Sequence, residues 1–200
     1  MGLIKHLKLF QRKESDALNE IIRTRLIEWR KEATPSRIEH PTNLISARRL
    51  GYKAKHGFVL VRVRLSRGQK QRPSIRHGRR SAHMRQRLVL QKSYQRIAEE
   101  RVNRAYPNLE VLNSYKVGKD GLHYWYEIIL VDPQSPEIKA DKDISWITSG
   151  KHKNRAARGL TSAGDRSRGL KGKGKGHEKM RPSKTAAYRR KAKQRYTKYY

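Results

Sequence analysis

Apolar residues recur at two periods along the chain, and the switches between them mark its elements. Leu3, Ile4, Leu7 and Phe10 fall at helical spacing, which predicts a short amphipathic piece over residues 3–10. Ser15 or Asp16 then offers a helix cap, and Leu18, Ile21, Ile22, Arg25, Leu26 and Trp29 share one face up to the break at Pro35. That stripe predicts a helix lying on a core; docking on a partner is the other reading. Residues 41–47 read as a connector. Over residues 58–65 the period falls to two: Val59, Val61, Val63 and Leu65 share one face, and Leu60, Arg62 and Arg64 the other. One face is expected to join a core and the other to present charge. Gly68, Pro73 and Gly78 then interrupt any helix, so residues 67–92 are expected as an extended loop.

Ser93 can cap a helix over residues 94–105, with Tyr94, Ile97, Ala98, Arg101 and Val102 on one face and Pro107 beyond its end. Two strands, 109–117 and 124–131, flank Gly118-Lys119-Asp120-Gly121, whose Asp-Gly pair signals a tight hairpin. The second strand is apolar on both faces and is expected to be central and covered. Asp141 and Asp143 lie on a turn before Trp146. From Lys151 onward Gly, Lys and Arg dominate, and no apolar face shows until Ala186-Ala187-Tyr188, which can start a short basic helix. Alone in water this tail is expected to be disordered.

Charge changes this picture more than composition does. The 200 residues carry a net charge of +32, with 35% hydrophobic residues and a mean hydropathy of -0.98. Residues 40–98 hold sixteen Lys or Arg and no Asp or Glu. Residues 151–200 hold eighteen basic residues against two acidic ones, while the remaining parts balance at fifteen of each. Two uncompensated segments oppose compactness by self-repulsion, so each calls for a polyanion. The absence of cysteine excludes disulfides, thiol catalysis and thiolate metal sites. No run approaches the ~20 apolar residues of a membrane span. The start shows no signal-peptide core, and His6 breaks the myristoylation pattern, so a cytoplasmic location is expected.

Other chemistry is poorly supported. Gly159-Leu160-Thr161-Ser162-Ala163-Gly164 has the spacing of a phosphate loop, but Asp165 and Arg166 stand where Lys and then Ser or Thr are required. A backbone nest for a nucleic-acid phosphate stays open there. The eight histidines never form His-x-x-x-His, which argues against zinc. Glu99 and Glu100 are adjacent and point apart on a helix, so ion pairing with Arg is their expected role. No cofactor, metal or small-molecule substrate is expected, and no catalytic residues can be assigned. Tyrosines lie among the basic residues, and Tyr52, between Arg49 and Lys53, can stack on an unpaired base or pack internally.

Several motifs together resemble one family. Arg48-Arg49-Leu50-Gly51-Tyr52-Lys53-Ala54-Lys55, Ala98-Glu99-Glu100-Arg101, Val111-Leu112-Asn113-Ser114-Tyr115, Ile129-Leu130-Val131-Asp132-Pro133, Trp146-Ile147 and Arg158-Gly159-Leu160-Thr161-Ser162-Ala163-Gly164 are similar to the archaeal and eukaryotic large-subunit ribosomal protein of the fifteen-e family. The match runs in order to about residue 182, and the missing cysteine and the Gly-Lys repeat resemble its archaeal branch. The resemblance implies an α+β fold, a small mainly antiparallel sheet packed with helices, plus long basic extensions. It implies large-subunit ribosomal RNA and neighbouring ribosomal proteins as partners, and no catalysis.

The expected organisation is a core over residues 1–150, with the basic loop 67–92 inserted, and a basic RNA-penetrating extension over 151–200. The expected function is that of a structural constituent of the large ribosomal subunit that binds and stabilises folded ribosomal RNA. A DNA-compacting chromatin-type protein is the alternative. RNA contacts are expected from Arg48, Arg49, Tyr52, Lys53, Lys55, Arg67, Lys70, Arg72, Arg76, Arg79, Arg80, Arg85, Arg87 and Lys92. In the extension they are expected from Arg155, Arg158, Arg166, Arg168, Lys171, Lys173, Lys175 and Arg181. The guanidinium forks of Arg48, Arg49, Arg79, Arg80, Arg166 and Arg168 can hold phosphates bidentately.

Overall fold

The computed structural model describes residues 5–6, 15–73, 77–78 and 87–196. Of the piece expected at 3–10 only residues 5–6 are described, and they are helical. The helix and strand elements that follow are α1 (Ser15–Lys31), β1 (Ser36–Ile38), α2 (Leu44–Arg49), β2 (Phe58–Ser66), β3 (Lys70–Gln71) and β4 (Arg87–Leu88). After them come α3 (Tyr94–Ala105), β5 (Glu110–Lys119), β6 (His123–Val131), α4 (Pro136–Ala140), α5 (Ser162–Ser167) and α6 (Lys184–Tyr196).

The strand with the longest apolar run takes the centre. β6 pairs with β2 on one side and β5 on the other, and β1 completes the sheet in the order β1-β2-β6-β5, antiparallel throughout. The β5–β6 hairpin closes where the sequence predicts it. The Asp120 carboxylate accepts from the backbone N–H of Leu122 at 2.7 Å and of His123, satisfying turn amides that lack ladder partners. β5 departs from regular pairing at Leu112 and Val117, where the register shifts. With helices on both faces, the fold is α+β, as the resemblance implies.

Both faces of the sheet are covered. On one, Val61, Val63, Leu65, Ile128 and Leu130 pack with Ala98 and Val102 of α3. Ser93 caps that helix, accepting from the N–H of Arg96 at 3.3 Å. On the other, Leu60, Leu112, Tyr115, Ile129 and Val131 pack with Ala47 of α2, Ile138 of α4, Ile144 and Ile147. This corrects two expectations. The second face of β2 presents little charge to solvent, because β2 lies inside the sheet: Leu60 is buried, and Arg62 reaches Glu32 at 2.9 Å and stacks 4.3 Å over Trp29. Residues 41–47 are also more than a connector. Asn43 Oδ1 accepts from the N–H of Ser46 at 2.9 Å and caps α2, whose Ile45 and Ala47 are buried. Six residues are too few to display a 3.6-residue period, so the sequence pattern could not reveal this helix.

α1 docks through Leu26 and Trp29 near its C-terminal end. Trp29 is buried with its ring 6.3 Å from Trp125, and the missing side chain of Gly118 admits Leu26, whose Cδ2 lies 3.1 Å from where a Cβ would stand. Ile21 and Ile27 of the same helix stay about half exposed. Packing also runs past residue 150. Ala156, Thr161 and Ala163 are buried, and Ala156 joins the α3 side of the core. These residues are small or polar, so they produce no hydrophobic period. The loop that has phosphate-loop spacing is closed on itself: a Cβ at Gly164 would come within 2.5 Å of the Gly159 backbone. Its Thr161 hydroxyl accepts from the N–H of Gly164 at 3.2 Å and caps α5.

Candidate nucleic-acid interface

The basic surface is defined by where the acids go. Glu127, in the middle of β6, is fully buried; it accepts from Tyr115 Oη at 2.5 Å, from Thr42 Oγ1 and from the Thr42 N–H at 3.1 Å. Arg62 stands 3.7 Å away. The Tyr115 hydroxyl is pushed well above its usual range, by burial first and by the neighbouring carboxylate second. Glu99 of α3 is also fully buried, accepting from Ser114 Oγ at 2.5 Å and from Thr161 Oγ1. Burial pushes the Glu99 carboxyl up, against the lowering effect of these two hydroxyls. Ion pairing with Arg therefore describes Glu100, which holds Arg96 at 2.9 Å and Lys92 at 2.7 Å, but not Glu99, which uses hydroxyl donors. Asp141 accepts from Lys53 at 2.8 Å and Lys55 at 2.5 Å, and Asp120 from Arg30 at 2.9 Å.

Exposed cations outnumber exposed acids on the surface that remains, and they cluster. A groove forms where the end of the 67–92 loop meets the residues after α5. It is lined by Leu90, Lys92, Arg96, Arg166, Arg168 and Lys184, with Gly169 and Met180 at its side. Segments far apart in sequence thus converge at one site. Arg96 and Lys184 join it without having been expected there. A helical Arg and a tail Lys carry no signal that separates them from other basic residues.

The expected contacts divide by their partners. Arg48 and Arg49 are exposed in the last turn of α2. Lys70 and Arg87 are exposed on the short β3–β4 pair, and Arg72 beside it is partly buried. Arg166, Lys171, Lys173, Lys175 and Arg181 are exposed, while Arg168 is partly buried and donates to the Gly159 carbonyl at 3.2 Å. Arg158 is exposed, with Nε donating to the Lys153 carbonyl at 3.0 Å. Arg67 is exposed but turned onto the hairpin, donating to the Asp120 carbonyl at 2.7 Å, 5.0 Å over the Tyr124 ring. Lys53 and Lys55 face carboxylates, and the hydrogen bonds that Lys53 donates to Asp141 and then Asp143 raise its pKa. Tyr52 packs edge-on to Phe58 at 5.9 Å, the internal one of its two readings. Arg76, Arg79, Arg80 and Arg85 lie outside the described residues.

Arg155 departs most from expectation. It is buried, and Nη1 donates to the carbonyls of Val111 at 2.7 Å and Leu112 at 2.6 Å. The β5 register shifts at Leu112, and there one guanidinium nitrogen serves both carbonyls. Desolvation lowers the Arg155 pKa. Within the chain its guanidinium supports the sheet. Among the described residues no group of three or more His, Asp or Glu could hold a metal ion, and no helix is long and apolar enough to cross a membrane.

Comparison with known proteins agrees with the motifs. The family described as Ribosomal L15 matches residues 2–187. The Large ribosomal subunit protein eL15 of Methanocella arvoryzae (strain DSM 22066 / NBRC 105507 / MRE50) is 53% identical over 174 residues, covering 86% of this chain and 89% of that protein. With a match over nearly its whole length, the chain belongs to the L15e family of ribosomal proteins.

Proposed function

We propose that this protein is a structural constituent of the large ribosomal subunit that binds and stabilises folded large-subunit ribosomal RNA in the cytoplasm, beside neighbouring ribosomal proteins. One observation carries the reading. The buried acids Glu99 and Glu127 are held by internal donors, whereas Arg48, Arg49, Lys70, Arg87, Arg166, Lys173 and Lys175 are exposed. Cations arranged in this way displace counterions where RNA helices crowd together. The mechanism is charge neutralisation and shape matching, with no bond made or broken. The glycine-rich run from 169 to 176, exposed from 173 onward, suits close passage between helices. Gly169, Gly174 and Gly176 adopt positive φ there, at 73°, 89° and 95°.

Competition tests the reading against DNA compaction. The full chain is bound to a fluorescent fragment of folded large-subunit RNA and challenged with duplex DNA of equal phosphate content. The proposal expects RNA to be retained; displacement at equal phosphate would favour the chromatin-type alternative.

A further inference from the structure

We infer that Trp146 is a pre-set stacking platform for an unpaired RNA base. The inference rests on the RNA-binding reading above and assigns one contact within it. Three features fix the ring. Its Nε1 donates to the Asp143 carbonyl at 3.1 Å. The His152 ring meets it at 4.9 Å and 78°. The Arg155 guanidinium carbon lies 5.0 Å over it. Arg155 is itself tied to the two β5 carbonyls, so the ring is referenced to the sheet and not to a loose loop. Yet 41% of the residue stays exposed, while Trp29 and Trp125 are 5% and 1% exposed.

Trp146 is thus both fixed in orientation and open to solvent, as a stacking platform requires. The charge around it selects the ligand. Arg158 Nε donates to the Lys153 carbonyl at 3.0 Å and its Nη2 to the Lys151 carbonyl, so a cation braces the turn that carries His152. Lys151 and Lys153 are exposed. The nearby Asp143 carboxylate is paired with Lys53 at 2.9 Å, which offsets part of its charge. An exposed indole close in sequence to two exposed lysines suits a base with its phosphates, and stacking accepts any base. Tyr188, 75% exposed on α6, has the exposure, but among the described residues no ring contact fixes it.

Because Trp146 is the exposed tryptophan of three, its emission reports the contact directly. The full chain is titrated with a ten-nucleotide oligouridylate and, separately, with a blunt RNA duplex of equal length. The single strand is expected to quench emission, and Trp146→Leu to weaken its binding by about 5- to 100-fold while leaving duplex affinity unchanged. Trp146→Phe, which keeps a ring over Arg155, is expected to lose less. Saturating single-strand binding with no quenching of the unmodified protein overturns the platform, whatever the variants do. So does unchanged single-strand affinity in Trp146→Leu, which would assign the ring to a protein partner. Failure to bind either RNA would overturn the RNA-binding reading itself, and the platform with it.

Discussion

The centre of the sheet and the groove beyond α5 treat charge in opposite ways. At β6, Glu127 is fully buried, and it has Tyr115, Thr42 and Arg62 around it. In the groove, Arg166, Lys184, Arg96 and Lys92 gather from distant segments, and among the described residues Arg96 and Lys92 share one acid, Glu100. The first arrangement is self-sufficient. It removes carboxylates from water, where an unpaired charge would cost several kcal/mol, and supplies donors in return. The second is incomplete on its own and gains only when a polyanion arrives. A net charge of +32 is therefore compatible with a core in which Glu99 and Glu127 are buried among internal donors.

Truncation should break the comparison most sharply. Ending the chain after Gly150 removes Thr161 from Glu99 and Arg155 from the β5 carbonyls. Stability is expected to fall by about 3–5 kcal/mol or more, as when a buried charged group loses its partner. Ending it after Leu170 removes no member of either core cluster. Unfolding should then move by less than about 1 kcal/mol, as for changes outside the core, while RNA binding weakens. Equal loss from both truncations, measured by chemical unfolding, would erase the distinction between the regions.

Next in size is Ile128→Ala. Ile128 is fully buried in the cluster shared by β2, β6 and α3, so about 2–5 kcal/mol should be lost. RNA affinity at temperatures where the variant stays folded should be unchanged. Unaltered thermal unfolding would contradict the central placement of β6.

The smallest effect is expected at acid pH. Hydrogen bonds from Lys53 and then Lys55 hold the Asp141 carboxyl well below its ordinary 3.8. A depressed folded value means that its contribution is present above 3.8 and is lost as pH falls through the folded value. Glu99 acts with the opposite sign. Burial raises its carboxyl above 4.5, so its contribution is greatest in acid and declines as pH rises through the folded value. Asp141→Asn isolates the first: stability below pH 3.8 should fall less steeply than in the unmodified protein. Identical acid limbs would show that the Lys53–Asp141–Lys55 cluster contributes nothing.

How much of this is legible without coordinates depends on residue size and spacing. β2, α3 and the β5–β6 hairpin follow from period, cap and turn residues, because each spans enough positions for a pattern to repeat. α2 is too short for that. The packing of Ala156, Thr161 and Ala163 uses residues that no hydrophobic pattern marks. Glu127 did leave a trace, as a lone acid within an apolar run, but its donors come from Thr42 and Tyr115, which only the fold brings near. Arg155 looks in sequence like any other residue of a basic extension. Its role appears only once its guanidinium is seen to serve two carbonyls where the β5 register shifts at Leu112.

Salt dependence of RNA binding tests the central claim most directly. Affinity of the full chain for a large-subunit RNA fragment is measured across a range of monovalent salt. If the exposed cations act through phosphates, even ten contacts give a slope of log K against log salt of roughly -7 to -9. The chain ended after Leu170, which lacks Lys171, Lys173, Lys175 and Arg181, should give a shallower slope. A full-chain slope shallower than about -2 would contradict a phosphate-dominated interface.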